Sequence, residues 1–247
     1  MDDGYISKYL IHWAGKGNDH ERADVLSIIA STCELLLSYN RIHAFDYNHE
    51  IHEKMICFTD VPLAHSRKHC SRYSKFGIAF HKHNLMNVGA QPVFYVSHAS
   101  KHDMHIIFKF IQEQTPEPTM EPELFKALHR HFYFMQRLSD GSADGDDTFY
   151  YEREWRLGAQ NLPTEQEWDR PNPRYHLQRE GYPPYLGKRV IHDEKEYFSF
   201  EVEDVAFLVA PRACMPLIQN PKSFKLFAFE DIVQGPDNTM IEQSDAT

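Results

Sequence analysis

The amino-acid sequence predicts a single α+β domain, on three observations. Short apolar segments with strand character are separated by elements too long to be tight hairpins. Two segments in the middle of the chain, 103–114 and 121–138, carry the wide apolar stripe of amphipathic helices. No internal repeat and no shift in composition divides the chain, so we expect one domain over residues 1–247.

The first half of the chain alternates strand-like and helical segments. "YLIHWA" is a short apolar strand and is followed by "GKGND", which is typical of a loop. The next segment spaces its apolar residues as a helix that packs on a core would. The elements predicted here are a strand at 9–14, a helix at 21–37, a strand and turn at 55–63, a polar helix at 64–75, and strands at 76–81 and 91–97.

The second half contains the two helices, an acidic loop at 139–147 and further strands. A Pro-rich and aromatic segment with little periodicity predicts a long loop or lid at about 158–195. The end of the chain, 236–247, is expected to be a frayed tail. The strands predicted in this half are "FYYEREWRL" at 149–157, a long strand at 196–213 and a last strand at 224–232.

Composition and charge narrow the class of protein. Apolar residues make up 42% of the chain, enough to fill a core. A net charge of −10 has the wrong sign for binding a nucleic-acid backbone through wholesale counterion release. The four Cys form no C-x-x-C pair, and no apolar run reaches the roughly 20 residues that span a membrane. We therefore expect a cytoplasmic protein with reduced thiols and no membrane partner.

Two carboxylates lie at the centre of the apolar strand predicted at 149–157. Side chains alternate between the faces of a strand, so Glu152 and Glu154 should point the same way, about 6.5–7 Å apart. Arg156 joins them on that face, whereas Arg153 and Trp155 point the other way. Spacing alone leaves two interpretations open, a salt-bridged surface or a catalytic pair whose pKa values differ.

Histidines give weaker signals. His12 lies inside an apolar strand, where it could be a hydrogen-bonded core residue or a ligand-binding residue. His65 and His69 have the i,i+4 spacing that can place two metal ligands on one helix face, but no third ligand is evident. The trio His98, His102 and His105 has similar spacing. We predict no metal site.

The order of these segments resembles the AbiGi-type abortive-infection proteins of bacteria. The segments that carry the resemblance are "IHWAGK", "ADVLSIIA", "MICFTDVPLAHSRKHCSRYSKFGIAFHK", "PVFYV" and "YEREWRL". The resemblance covers roughly Tyr9 to Leu157, and the part from Cys57 to Phe80 is the most specific. Proteins of this type are described as the antitoxin half of a two-gene phage-resistance system.

The same layout resembles the ADP-ribosyltransferase fold, a split mixed β-sheet with flanking helices that binds NAD in a cleft. This resemblance implies that His12 contacts the adenine-side ribose and that Glu154 contacts the nicotinamide ribose. Glu152 would orient the attacking group. Tyr73 would support the nicotinamide, with Tyr95 as its competitor.

Further residues are assigned to cofactor binding through the same resemblance. Trp13 follows His12 on the first strand, and Arg67, Arg72 or Arg156 would hold the pyrophosphate. A carboxylate beside the ribose would stabilise the positive charge that develops when nicotinamide leaves. The resemblance thus implies Glu154, Glu152 and Tyr73 as catalytic residues.

Three functions are consistent with these features. The first is an NAD-dependent mono-ADP-ribosyltransferase toxin in anti-phage defence, acting on RNA, DNA or a translation component. The second is a non-enzymatic antitoxin or phage-sensing partner whose acidic surface masks a basic toxin. The third, a metal-dependent nuclease, would use His65 and His69. We favour the first at this point, with NAD as co-substrate, and keep the second as the alternative.

Overall fold

The fold is described here from a computed structural model of the chain. The structure describes residues 7–42, 51–96, 106–107, 109–110, 121–138, 152–164 and 187–234. Within these ranges the chain is a mixed α+β structure with few helices, which confirms the predicted class. None of the helices in these ranges is long and apolar enough to cross a membrane.

The described ranges contain thirteen strands and five α-helices with full bounds, and residues 106–107 and 109–110, inside the helix predicted at 103–114, are helical as well. The strands are β1 (Tyr9–Trp13), β2 (Glu34–Leu36), β3 (Ser38–Ile42), β4 (Ile51–Thr59), β5 (Gly77–His81), β6 (Gln91–Pro92), β7 (Phe94–Val96), β8 (Met135–Arg137), β9 (Glu154–Gly158), β10 (Gly187–His192), β11 (Lys195–Phe200), β12 (Val205–Ala210) and β13 (Leu226–Ala228). The helices are α1 (Asp19–Thr32), α2 (Arg67–Arg72), α3 (Lys82–Asn87), α4 (Pro122–Tyr133) and α5 (Phe229–Gln234).

Eight of the strands form one mixed sheet. Its order is β13-β12-β5-β1-β4-β9-β6, and β3 pairs with β4 beside this path. Only the pair β12 and β13 is parallel in this sheet as described; the other pairs are antiparallel. Strands β10, β11 and β2 form a second sheet, and β7 pairs with β8 in a third. The large sheet places β1, β4 and β9 side by side at its centre.

Apolar residues cover both faces of the central strands. On β1, Leu10 belongs to one core cluster and Ile11 to the other, because neighbouring residues point to opposite faces. The larger cluster packs the sheet against α1 and the β10-β11-β2 sheet, and the smaller one includes residues of α5. Burial on both faces explains why "YLIHWA" and "FGIAFH" read as continuous apolar strands. The strands predicted at 9–14 and 76–81 are confirmed as β1 and β5.

The first helix is shorter than predicted. Asn18 caps α1 in a capping box with Glu21, and Cys33 ends the helix in the left-handed conformation, with φ 56°. The following leucines alternate as strand residues do, since Leu35 is buried and Leu36 is exposed. The helix predicted over 21–37 is therefore wrong at its end, where β2 pairs with β11.

Three predicted strands turn out to be interrupted. Segment 91–97 divides into β6, which pairs with β9, and β7, which pairs with β8. Segment 196–213 divides into β11 and β12, because the 3₁₀ turn Val202–Asp204 separates them. In segment 224–232 only the first part is a strand, β13, and α5 follows directly. Each of these apolar segments was predicted as one strand. In the structure the segment either pairs with two different strands or is interrupted by a turn or a helix.

Other predicted segments are described only in part. Strand β10 occupies the last part of the segment predicted as a loop or lid at 158–195, of which residues 165–186 lie outside the described ranges. The acidic loop, the histidines at 98, 102 and 105, and the tail at 236–247 also lie outside them. The predicted helix at 121–138 is confirmed for α4, which ends before β8 begins.

Candidate functional site

A cleft opens where the two central strands of the sheet separate. Strands β1 and β4 are paired at one register position, Ile11 opposite Thr59. Beyond it the ring nitrogen Nδ1 of His12 lies 2.9 Å from the carbonyl oxygen of Cys57, so a side chain replaces the next ladder bond. A cavity of about 270 Å³ lies beside this gap. The split between β1 and β4 therefore forms the cavity.

The structure brings the predicted site residues together at this cavity. Those that line it directly are His12, Trp13, Tyr73, Glu152, Glu154 and Arg156. Arg72, which is 44% exposed, approaches the Glu152 carboxylate to 3.7 Å. The backbone N–H of Glu154 donates to the hydroxyl of Tyr95 at 2.8 Å. Proximity is thus established for all eight, while the catalytic and cofactor-binding roles assigned to them stay predictions.

The two carboxylates do not lie on one continuous strand as predicted. Strand β9 begins only at Glu154, and Arg153 before it adopts the left-handed conformation with φ 45°. A left-handed residue breaks the alternation of a strand and turns the chain at a corner. Both carboxylates nevertheless line the cavity, because the corner brings Glu152 back towards it.

The end of β4 holds this corner in place. The hydroxyl of Thr59 donates to the carbonyl of Glu152 at 2.6 Å, and the N–H of Asp60 donates to the carbonyl of Arg153 at 3.1 Å. The Asp60 carboxylate accepts hydrogen bonds from Arg153 at 3.3 Å and from Lys82 at 2.7 Å. The position of Glu152 is therefore fixed by Thr59 and Asp60 at the end of β4, although Thr59 lies 93 positions earlier in the sequence.

Arg156 is a buried connector rather than an open cation. Its side chain is 5% exposed and makes a two-bond contact with the Glu154 carboxylate, with both distances 2.9 Å. Its remaining donors go to the carbonyls of Tyr133 and Met135 and to the side chain of Gln136. All five guanidinium N–H groups are used in this way. A ligand that contacts Arg156 must displace one of these partners.

Glu152 has fewer partners than Glu154. Tyr73 donates its hydroxyl hydrogen to Glu152 Oε1 at 2.7 Å, and Arg72 lies farther from the same oxygen. Burial raises the pKa of Glu152, and the Glu154 charge adds to this, whereas the Tyr73 hydrogen bond and the Arg72 charge oppose it. Burial likewise raises the pKa of Tyr73, and the neighbouring Glu152 charge reinforces the shift. The phenol therefore stays a donor at neutral pH.

Aromatic rings form the wall on the α2 side. The His69 ring stacks on Tyr73 with centroids 4.5 Å apart, and the Trp13 ring lies 6.3 Å from His69. Gly77 allows the indole this position, because a Cβ there would lie 2.8 Å from Trp13 Cε3. Burial lowers the pKa of His69 to about 4 and also lowers that of His12, so both imidazoles are neutral at pH 7.

We expect the His69 ring to make stability depend on pH. The unfolded chain binds a proton at His69 below about pH 6.5, while the folded chain resists it down to about 4. The free energy of unfolding should therefore fall by up to about 3 kcal/mol between these pH values. Urea unfolding of wild type and His69→Asn at pH 7 and pH 4.5 measures the effect.

The comparison with the variant is necessary because Asp204 acts in the opposite direction. Burial raises the pKa of Asp204 to about 6, so its contribution to stability improves as the pH falls from 6 towards 4. This part is common to both proteins and cancels in their difference. Equal pH dependence of wild type and His69→Asn would show that the ring is not held neutral by the fold.

Some residues of the site were not identified from the sequence. Asp60 and Thr59 hold the corner, and Asn40, Cys57 and Gln136 contribute to the cavity lining. The available signal was an aspartate directly after the apolar run "MICFT", a position where a charge is buried only if it has partners. Its partners Lys82 and Arg153 are distant in sequence.

The two histidines with i,i+4 spacing, His65 and His69, lie in different surroundings. His65 is exposed at the end of a short turn, whereas His69 lies in the aromatic wall. Within the part of the chain that the structure describes, no group of three His, Cys, Asp or Glu side chains could hold an ion.

Comparisons with known proteins bear on the family. A family model described as "Putative abortive phage resistance protein AbiGi, antitoxin" matches residues 27–168, more than half of the chain. The matched part contains Tyr73, Glu152, Glu154 and Arg156, while β1 lies before it. No curated protein and no solved structure matches the chain.

This match corrects the predicted function. The family description names an antitoxin, so the prediction of an ADP-ribosyltransferase toxin is wrong. The alternative, an antitoxin of a phage-defence system, fits the description better. Neither NAD nor a nucleic-acid acceptor gains support as a partner.

Proposed function

The chain belongs to the AbiGi family, and from this premise we propose that it is the antitoxin of an abortive phage-resistance system. An antitoxin implies a cognate toxin, so the main partner of this protein would be another protein. The family match over residues 27–168 is the observation that carries the proposal.

The charge of the chain supports a basic partner. Thirty-six acidic residues against twenty-six basic ones give a net charge of −10. Complementary charge speeds the encounter of two proteins and helps to select the partner, and both effects weaken as salt screens the charges. A toxin that acts on nucleic acid would carry a basic surface, which an acidic antitoxin could cover.

Co-expression with the products of neighbouring genes tests the proposal. Each candidate is expressed in bacterial cells alone and together with this chain, and growth and phage resistance are recorded. We expect one neighbour to arrest growth alone, this chain to restore growth, and the two proteins to co-purify in a fixed ratio.

The design includes a control for folding. Arg156→Met removes the buried counterion of Glu154 and should destabilise the fold strongly, so it should weaken the rescue. The exposed Arg212→Met should keep it, since the Arg212 side chain is 64% exposed. The proposal fails if this chain alone arrests growth, or if no neighbouring product is neutralised by it.

Two finer predictions lie outside this function. The separation of β1 from β4 supports a split sheet of the ADP-ribosyltransferase-like form, which stays a prediction. NAD binding also stays a prediction and can be measured directly by titration of the purified chain. The cavity of about 270 Å³ is small for a dinucleotide, since pockets for drug-sized ligands span roughly 300–1,000 Å³.

A further inference from the structure

We infer that the cavity between β1 and β4 is a receptor for one organic cation, the guanidinium or ammonium group of a basic side chain on the cognate toxin. The inference rests on the proposed antitoxin function for the source of the cation. It adds a named site, a ligand chemistry and a residue, Glu152, that recognises it.

The size of the cavity suits a single side chain. About 270 Å³ of space is enough for one long side chain, and the Glu152 carboxylate is 12% exposed within it. The cavity therefore combines a restricted volume with one carboxylate that remains accessible.

The charges at the cavity leave one acceptor available. The Glu154 charge is offset by the buried Arg156, whose donors are all used. His12 and His69 are neutral at pH 7 because burial lowers their pKa. Glu152 keeps the Tyr73 hydrogen bond and an ion pair with the 44% exposed Arg72, whose 3.7 Å separation from Oε1 is too long for a hydrogen bond. Within the described ranges no partner reaches Glu152 Oε2.

An incoming cation would find a second recognition element in the aromatic wall. Trp13, His69 and Tyr73 stand next to one another, and Tyr73 also holds the carboxylate. A guanidinium group that pairs with a carboxylate and lies over an aromatic face gains both a charge-assisted hydrogen bond and a cation–π contact. Arg72, which already approaches Glu152, shows that this carboxylate accepts a guanidinium neighbour.

The carboxylate is held in position before any ligand arrives. The Thr59 hydroxyl and the Asp60 N–H fix the corner on which Glu152 stands. A preorganised acceptor loses little conformational freedom on binding, which favours affinity. The corner therefore holds Glu152 at the cavity just before the ladder of β9 begins at Glu154.

Titration of the isolated chain with arginine amide tests the ligand chemistry without any toxin. NMR and the intrinsic tryptophan fluorescence, to which Trp13 contributes, report binding, and citrulline amide is the neutral probe of nearly the same shape. We expect a dissociation constant of order 1 mM for arginine amide and no measurable binding of citrulline amide. Glu152→Gln should weaken binding about tenfold, the loss of one charge-assisted bond.

A matched control separates the site from general acidity. Glu34 is an acid of similar exposure, 20%, that pairs with His192 on the second sheet. Glu34→Gln should leave arginine amide binding unchanged. Equal weakening by both substitutions, or equal binding of arginine amide and citrulline amide, would overturn the cation site.

The toxin complex tests the source of the cation. Glu152→Gln should weaken the complex about tenfold, while the variant stays folded and Glu34→Gln binds as wild type. A complex of unchanged affinity, together with retained arginine amide binding, would overturn the toxin as source and assign the cavity to a free small cation. Absence of any toxin would refute the proposed function alone, since the titration with arginine amide stands independently.

Discussion

Replacement of Arg156 by methionine should destabilise the chain by about 3–5 kcal/mol, the usual effect of removing one partner from a buried ion pair. Arg156 neutralises Glu154 and satisfies the carbonyls of Tyr133 and Met135. Methionine fills similar volume but leaves the Glu154 carboxylate, which is 13% exposed, without its counterion. Urea unfolding at pH 7 measures the change in the free energy of unfolding.

The exposed Arg212 provides the matched control. Arg212→Met removes an ion pair with Asp231 whose side chains are more than half exposed, and we expect a loss within about 1 kcal/mol. Adding Glu154→Gln to Arg156→Met should recover part of the stability, because the uncompensated charge is then gone. A loss below about 1 kcal/mol for Arg156→Met would contradict the role of this residue as a connector.

Replacement of Asp60 by alanine should have the next largest effect, about 2–4 kcal/mol, because a buried carboxylate with two cationic partners is removed. Its side chain is 7% exposed and accepts from Lys82 and Arg153. Lys82 would keep its position over the Trp155 ring, 4.8 Å from the centroid, but would lose its counterion. Thermal and urea unfolding measure the loss, and arginine amide titration should show weaker binding because the corner loosens.

Glu196 is the control for this substitution. It also has two cationic partners, Lys54 at 2.7 Å and Arg189 at 3.5 Å, but its side chain is 19% exposed. Solvent screens such a pair, so Glu196→Ala should cost about 1 kcal/mol or less and should leave the cavity intact. Equal losses for the two alanine variants would mean that burial of Asp60 does not determine its contribution.

The sequence was sufficient to predict the strands that are buried on both faces. In β1 and β5 every position except His12 and His81 is apolar, and local pattern and fold agree. The sequence was insufficient where one apolar segment pairs with two different strands. Segment 91–97 has one continuous pattern, yet Pro92 pairs with Trp155 on β9, whereas Phe94 pairs with Met135 on β8. A choice of partner depends on residues distant in sequence.

The sequence predicted part of the candidate site's membership but not its geometry. The spacing of Glu152 and Glu154 suggested a shared face, and both do line the cavity. The corner between them could not be predicted, since Arg153 has no intrinsic preference for positive φ and the residues that hold its surroundings, Asp60 and Thr59, are distant in sequence. The function was mistaken because similar residues suit more than one kind of cleft.

The gap beside His12 also affects how the fold opens. Strands β1 and β4 join the two halves of the sheet through one ladder position and one imidazole contact, so cohesion comes mainly from side chains, including the Lys82–Asp60 ion pair and the apolar layer beneath. Apolar contacts are not directional, and small displacements between the halves need not break a series of backbone bonds. Amide hydrogen exchange should therefore resolve two cooperative units, with β5 and β12 in one and β4 and β9 in the other.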